Sequence, residues 1–221
     1  MTDATPAPED IEAALAQADA ALGQVIAAVR ARVGPQRMTR SRVGPFEALA
    51  RAVVYQNLSG TAAAIVFKRL RQVVETPFVP ARVAALDADA FAAAGLSKAK
   101  AHAIGALADW FLAKPDTAKT LPTLSDQDIG QALAGVTGVG PWTISVYLIF
   151  SLGRPDVMPA NDLGIRRGVQ LLAGLPEPAN PRQVEARAAL WRPYRSLASV
   201  YLWNAVKLKL RPDDLKAQEP T

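Results

Sequence analysis

The stretch Leu133-Ala-Gly-Val-Thr-Gly-Val-Gly-Pro-Trp-Thr-Ile-Ser-Val146 decides how the rest of the chain is read. A helix ends in a turn carrying Gly138 and Gly140, and Pro141 opens a second helix where its missing N–H costs nothing. Such a turn leaves backbone N–H groups unpaired and aimed outward, and its glycines let an anion come close to the backbone. Contacts of that kind ignore base identity, so the element would position a nucleic acid without reading its sequence. The structural alternative is an αα-hairpin with a glycine turn and no ligand.

Around this turn, Ile129 to Gly153 carries no charge and is long enough to span a bilayer. Gly135, Gly138, Gly140 and Pro141 break it into two pieces that are each too short, so a folded core is expected. Alanine is abundant throughout and no run of alternating β-branched residues reaches strand length, which makes the fold nearly all helix. A first helix is expected from about Glu9 to Val33, stopped by Gly34-Pro35. A second opens at Pro45, buries Phe46, Leu49 and Val53, and runs into Tyr55-Gln56-Asn57-Leu58. The next carries Ile65, Val66, Leu70 and Val73 and ends before Thr76-Pro77. A short helix spans Leu86 to Ala94. Ser97 caps one with Ile104, Leu107, Ala108 and Phe111 inside, and Ser125 with Asp128 looks like a capping box. Beyond Pro141–Gly153, helices are expected at Leu163–Leu172, Arg182–Leu190 and Tyr194–Leu210. Boundaries near Arg40 and Arg154 suggest a central helical barrel domain, 40–153, and a discontinuous lobe from 1–39 and 154–221.

Composition narrows the function. With 221 residues, half of them hydrophobic and 20% charged, the chain can bury a core and is not a disordered tail. The absence of cysteine excludes disulfides, thiolate catalysis, cysteine zinc sites and cysteine-held iron–sulfur clusters. One histidine, His102, excludes a histidine-rich metal site and is given no role. A net charge of +5 permits a nucleic-acid partner without demanding one. The polar, acidic start MTDATPAPED does not read as a secretory signal, so an intracellular, nucleoid-associated protein is expected.

Two further segments complete a pattern: Val157-Met-Pro-Ala-Asn-Asp162-Leu-Gly-Ile-Arg166 after the hairpin, and Phe46-Glu-Ala-Leu-Ala-Arg-Ala-Val-Val-Tyr-Gln56-Asn-Leu-Ser59 before it. The hairpin with apolar residues around Gly-Val-Gly resembles the helix-hairpin-helix motif. Together the three segments, in order over about Phe46 to Lys207, resemble the helix-hairpin-helix DNA glycosylase superfamily, in its AlkA-like 3-methyladenine DNA glycosylase II branch. The resemblance implies an all-α, two-lobed fold with the active-site cleft between lobes. It implies base excision repair of alkylated purines, of the 3-methyladenine and 7-methylguanine type, in double-stranded DNA. With 45 residues before Phe46, the extra N-terminal β-domain frequent in the family is not expected.

The residue matching the family's catalytic carboxylate is Asp162. A carboxylate suits the chemistry because breaking an N-glycosidic bond develops oxocarbenium-like charge on the sugar, and an alkylated purine, already cationic, leaves readily. Read locally, Asp162 is equally the N-cap of the helix starting at Leu163, and the two roles are compatible. Superfamily members that nick the backbone use a lysine in the second hairpin helix as a Schiff-base nucleophile. Trp142 stands there, and no lysine lies between Lys119 and Lys207, so a monofunctional enzyme without lyase activity is expected.

Trp142 and Trp203 match positions lining the family's base pocket, with Tyr55 and Gln56 added; electron-poor methylated bases stack well on indole. By spacing alone, either tryptophan also reads as plain core. Val146 stands where the branch often has an aromatic residue, which implies a more open pocket. The plug that fills the hole left by the everted base corresponds to Asn57, with Leu58 beside it; asparagine departs from the apolar wedge frequent in the branch and also suits a helix C-cap. Backbone contacts to DNA are expected from Gly138, Val139, Gly140, Thr143, Lys98, Lys100 and Arg166, although basic residues on a solvated helix face explain the last three equally well. No cofactor and no metal is implied, apart from a monovalent cation that hairpin carbonyls could hold without a signature, and a monomer is expected. The alternatives are a non-enzymatic hairpin protein that binds DNA, a glycosylase for other damaged bases, and one with lyase activity.

Overall fold

The computed structural model describes residues 6–38 and 40–216. Among these residues the chain is helices and turns, without a strand. No helix of the described residues is long and apolar enough to cross a membrane. The chain divides into two compact units, one continuous, Arg40–Gly153, and one assembled from Met1–Thr39 and Arg154–Thr221.

In the continuous unit, Pro45–Tyr55 buries Phe46, Leu49 and Val53 and packs against the helix Lys98–Ala113. The inward face of the latter carries Ile104, Leu107, Ala108 and Phe111 at helical spacing. Phe46 lies 5.6 Å from Phe78 and 5.3 Å from Phe111 between ring centroids, the second pair edge-on, an arrangement aromatic quadrupoles favour. Ser59, Ser97 and Ser125 cap three of the unit's helices, each accepting a backbone N–H. The helix Gly60–Val74 buries Ala63, Phe67, Leu70 and Val74, and Ile65, expected on its apolar face, is 50% exposed. The inner face is set by Phe67, whose ring reaches the aromatic cluster, 5.8 Å from Phe78. Between it and Lys98–Ala113 the chain forms two short helices, Pro80–Ala84 and Ala88–Ala93, where the sequence suggests one. The hairpin joins Asp126–Leu133 to Pro141–Tyr147, and the latter widens into a π turn over Leu148–Leu152.

The second unit centres on Trp191, Tyr201, Leu15, Leu22 and Ile165, all essentially inaccessible. Here the first expected helix is two, Pro8–Ala18 and Ala20–Val33, broken at Asp19. Asp19 is extended (φ −149°, ψ 98°) and its carboxylate caps Leu22 N–H, takes Arg187 Nε at 2.6 Å and takes Trp191 Nε1 at 2.9 Å. Apolar periodicity continues through the break, so only the distant partners reveal it. Nearby, buried Glu12 accepts from the Tyr201 hydroxyl and from Arg30. Burial raises the Tyr201 pKa and the bond to Glu12 raises it further.

The helices Leu163–Ala173 and Arg195–Lys207 pack together in this unit. Gly168 makes the approach possible: a Cβ there would sit 2.7 Å from Leu202 Cβ. Asn180 closes a full capping box with Gln183 at the start of Pro181–Ala188.

Candidate active site

Asp162 ends a tight turn in which its N–H donates to Pro159 O at 2.9 Å. As the N-cap of Leu163–Ala173, its Oδ1 accepts Ile165 N–H at 2.8 Å. The same oxygen accepts the indole N–H of Trp203 at 2.8 Å. Two N–H donors from two helices fix the carboxylate's direction, and charge-assisted bonds of this kind are worth about 1.5–3 kcal/mol each. Gly164 keeps the space open, since a Cβ there would lie 2.9 Å from Asp162 Oδ1 and 2.9 Å from Trp203 Cδ1. Both Asp162 and Trp203 are half-buried. The role of the glycines at 164 and 168 is absent from the sequence reading; two glycines four residues apart on one helix face were its available signal for close helix contact.

In the other unit, Gly138 has φ +78°, and a Cβ on it would meet Ala103 Cβ at 2.3 Å. Glycine is therefore required twice at this position, by backbone conformation and by contact with the helix Lys98–Ala113. Gly140 is different: φ is −98°, as the N-cap of the second hairpin helix, and nothing lies within 4 Å of a Cβ placed there. Val139 is buried and its N–H donates to Val136 O at 3.0 Å, so it anchors the turn with its side chain and spends its N–H inside. Trp142 is half-buried at the second position of the helix that follows.

Several residues expected on the DNA-facing side are engaged within the protein. The Gln56 side-chain amide donates to Gly138 O at 2.9 Å and to Thr143 Oγ1 at 2.7 Å. Thr143 is 1% exposed, which makes its hydroxyl an internal tie. Lys100 Nζ donates to Val54 O at 2.7 Å and Gln56 O at 2.8 Å, closing the end of the helix Pro45–Tyr55; burial lowers its pKa. Arg166 Nε donates to Ala179 O at 2.6 Å, holding a neighbouring loop. Lys98 stays exposed at the start of its helix.

Asn57 and Leu58 lie in the turn that follows Gln56. Gln56 (φ −56°, ψ 129°) and Asn57 (φ 55°) are the two central residues of a type II turn, with Leu58 N–H pointing at Tyr55 O at 3.4 Å. The third position of such a turn needs positive φ, which asparagine tolerates and a bulky apolar residue does not. That accounts for asparagine at this position. Asn57 is exposed, as is Leu58 at 40%. Tyr55 lies under the Arg51 guanidinium, 5.1 Å from the ring centroid. It lines an open groove of about 690 Å³ with Glu47, Phe67, Lys68 and Arg71. Glu47 and Arg71 pair at 3.3 Å across it, and such a wall of charges does not resemble a stacking slot for a base. Among the described residues no cluster of His, Asp or Glu could hold a metal ion.

Fold and motif together define an all-α helix-hairpin-helix protein. Residues 50–193 match the model of the HhH-GPD superfamily of base excision DNA repair proteins. DNA-3-methyladenine glycosylase 1 of Schizosaccharomyces pombe is 33% identical over 181 residues, which are 80% of this chain and 79% of that protein. The solved structure of the S. pombe 3-methyladenine DNA glycosylase in complex with abasic DNA superposes with a TM-score of 0.81 at 28% identity, covering 90% of this chain and 97% of that one. A Bacillus halodurans DNA-3-methyladenine glycosidase superposes with a TM-score of 0.71 at 26% identity, covering 92% and 94%. The chain belongs to the HhH-GPD superfamily.

Proposed function

We propose that this chain is a monofunctional DNA glycosylase that everts alkylated purines, of the 3-methyladenine and 7-methylguanine type, from double-stranded DNA and hydrolyses their N-glycosidic bond. The observation that carries the reading is the Asp162 carboxylate, with Oδ1 held by Ile165 N–H and by the Trp203 indole. The S. pombe relatives, named for 3-methyladenine and one bound to abasic DNA, support the substrate class.

As the bond between C1′ and the base nitrogen breaks, its electron pair neutralises the cationic purine and positive charge grows on the sugar. A carboxylate fixed in advance stabilises that charge without reorganising. Water then adds to C1′ and releases its proton, leaving an abasic site. Trp203, bonded to this carboxylate, brings an indole beside the sugar and base. The hairpin backbone at Gly138 and Gly140, with Lys98, grips phosphates, and Asn57 with Leu58 fills the stack. No lysine stands where a Schiff base would form, so the strand is not cut by the enzyme, and the protein acts as a monomer.

The test is base release from methylated duplex DNA, read as strand cleavage after alkali. Asn caps a helix as well as Asp, so Asp162→Asn keeps the fold and removes the charge. Single-turnover release is expected to fall about 100- to 1000-fold with DNA affinity retained. Release at the wild-type rate, or none from any alkylated duplex by the wild type, would reject the proposal. Borohydride treatment is expected to trap no protein–DNA adduct; a trapped adduct would overturn the assignment as monofunctional.

A further inference from the structure

Gln56, Lys100 and Ala103 form a bracket that none of their individual assignments explains. Lys100 and Ala103 lie one turn apart on the helix Lys98–Ala113. From that one face, the Lys100 ammonium holds the carbonyls of Val54 and Gln56 at 2.7 and 2.8 Å, at the start of the Asn57 turn. The Ala103 methyl sits where Gly138 has no room for a Cβ, at the hairpin. Gln56 closes the third side, its amide joining that turn to Gly138 O and Thr143 Oγ1. Gln56 and Gly138 are 82 residues apart in sequence, so nothing local requires this link.

Two sides of the triangle are short, directional hydrogen bonds and the third is the close packing of Ala103 on Gly138, so the two turns cannot slide past each other without breaking hydrogen bonds or opening that contact. We infer that Gln56 and Lys100 are positioning residues that lock the wedge turn to the phosphate-gripping hairpin, so that seating of the hairpin on the DNA backbone sets the depth at which Asn57 enters the stack. Backbone binding energy, which carries no sequence or damage information, is thereby spent on eversion. The inference rests on the reading of Asn57 as the plug. It gives Gln56 work that does not involve touching the base.

The experiment is a double-mutant cycle on the full-length chain. Gln56→Leu removes both N–H donors at similar bulk, and Lys100→Met removes the ammonium while keeping the stem. Each is measured alone and combined with Asn57→Ala. The readouts are single-turnover release of 7-methylguanine, fluorescence of a 2-aminopurine next to the lesion as a report of eversion, and affinity for undamaged duplex. Gln56→Leu and Lys100→Met are each expected to lower eversion and release by about 10- to 100-fold. Affinity for undamaged DNA should change by less than about threefold, and the penalty should shrink to about threefold or less in the Asn57→Ala background, the mark of two residues acting through one event. Rescue of the release rate by Lys100→Arg is expected, since the guanidinium can reach the same carbonyls. The same penalty with and without Asn57, or a parallel loss of undamaged-duplex affinity, would overturn the coupling. Asn57→Ala at the wild-type rate would instead overturn the plug reading beneath it. If Gln56→Leu does not fold, the cycle on Lys100→Met decides alone, because it loosens the same turn from the other side.

Discussion

The two units are stabilised in different ways, and the contrast shows where each is vulnerable. The unit made of the two ends of the chain is stitched by buried charge: Asp19 to Arg187 and Trp191, and Glu12 to Tyr201 and Arg30. A segment from the N-terminus and one from the C-terminus are joined by directional bonds that recognise each other. The continuous unit is packed around phenylalanines and aliphatic side chains, and its decisive polar bonds gather at two turns. Buried charge distinguishes the discontinuous unit, which also depends on Gly168; apolar packing and Gly138 hold the continuous one. The first should be sensitive to pH and to loss of a partner, the second to the addition of a single methyl group.

The largest effect on stability is expected where buried charge loses its partner. The Asp19 side chain is 1% exposed and that of Arg187 33%. Arg187→Met leaves that carboxylate buried with fewer donors, and should cost about 3 kcal/mol, the low end for a broken buried pair because the guanidinium is partly in water. Burial alone would raise the Asp19 pKa, but the bonds from Arg187, Trp191 and Leu22 N–H outweigh it and the pKa is lowered from the ordinary 3.8. A depressed carboxylate stabilises the fold above its unfolded pKa, and that contribution is lost as pH falls through the folded value. The gap in urea midpoint between wild type and Arg187→Met should therefore be constant from pH 7 down to the ordinary carboxylate range and narrow below it. A gap that widens on acidification would show that the pair does not hold this unit.

In the continuous unit the corresponding break is geometric. Gly138→Ala must place a methyl 2.3 Å from Ala103 Cβ at φ +78°, and the combined strain should cost about 2 kcal/mol. That loss should stay the same as pH falls below the ordinary carboxylate range, where the Arg187→Met penalty narrows. A thermal midpoint equal to wild type would mean that the hairpin yields freely.

The same contrast explains which parts were legible in the sequence. The hairpin could be read because its information is local: glycines, proline and apolar spacing fall within a few residues of each other. The helical class and the family followed from local pattern as well. Asp19 could not be read as a helix break, because its reasons, Arg187 and Trp191, lie 168 and 172 residues away. Likewise Asp162 and Trp203 were each singled out, but the hydrogen bond between them depends on a helix crossing permitted by Gly168. Lys100 and Gln56 were read by residue type, as a cation for phosphate and an amide for a base. Their bonds to carbonyls and to Thr143 appear only once the Lys98–Ala113 helix is packed against Pro45–Tyr55.

The smallest effect expected is the one that separates stability from binding most cleanly. Gly140 shares the motif with Gly138 but not its confinement: its φ of −98° suits any L-residue and no atom lies within 4 Å of an added Cβ. If this glycine exists for the fold, alanine should be harmless in every assay. If it exists so that a phosphate can approach the backbone, Gly140→Ala should leave the thermal midpoint unchanged and lower affinity for undamaged duplex by about 1 kcal/mol, roughly fivefold, with the salt slope reduced by up to about 1 because one phosphate contact is weakened. Titrations at several salt concentrations, paired with melting curves for Gly138→Ala and Gly140→Ala, check this. Equal affinity of Gly140→Ala and wild type at low salt would remove the phosphate from the hairpin and leave Gly138 explained by its positive φ and its packing on Ala103.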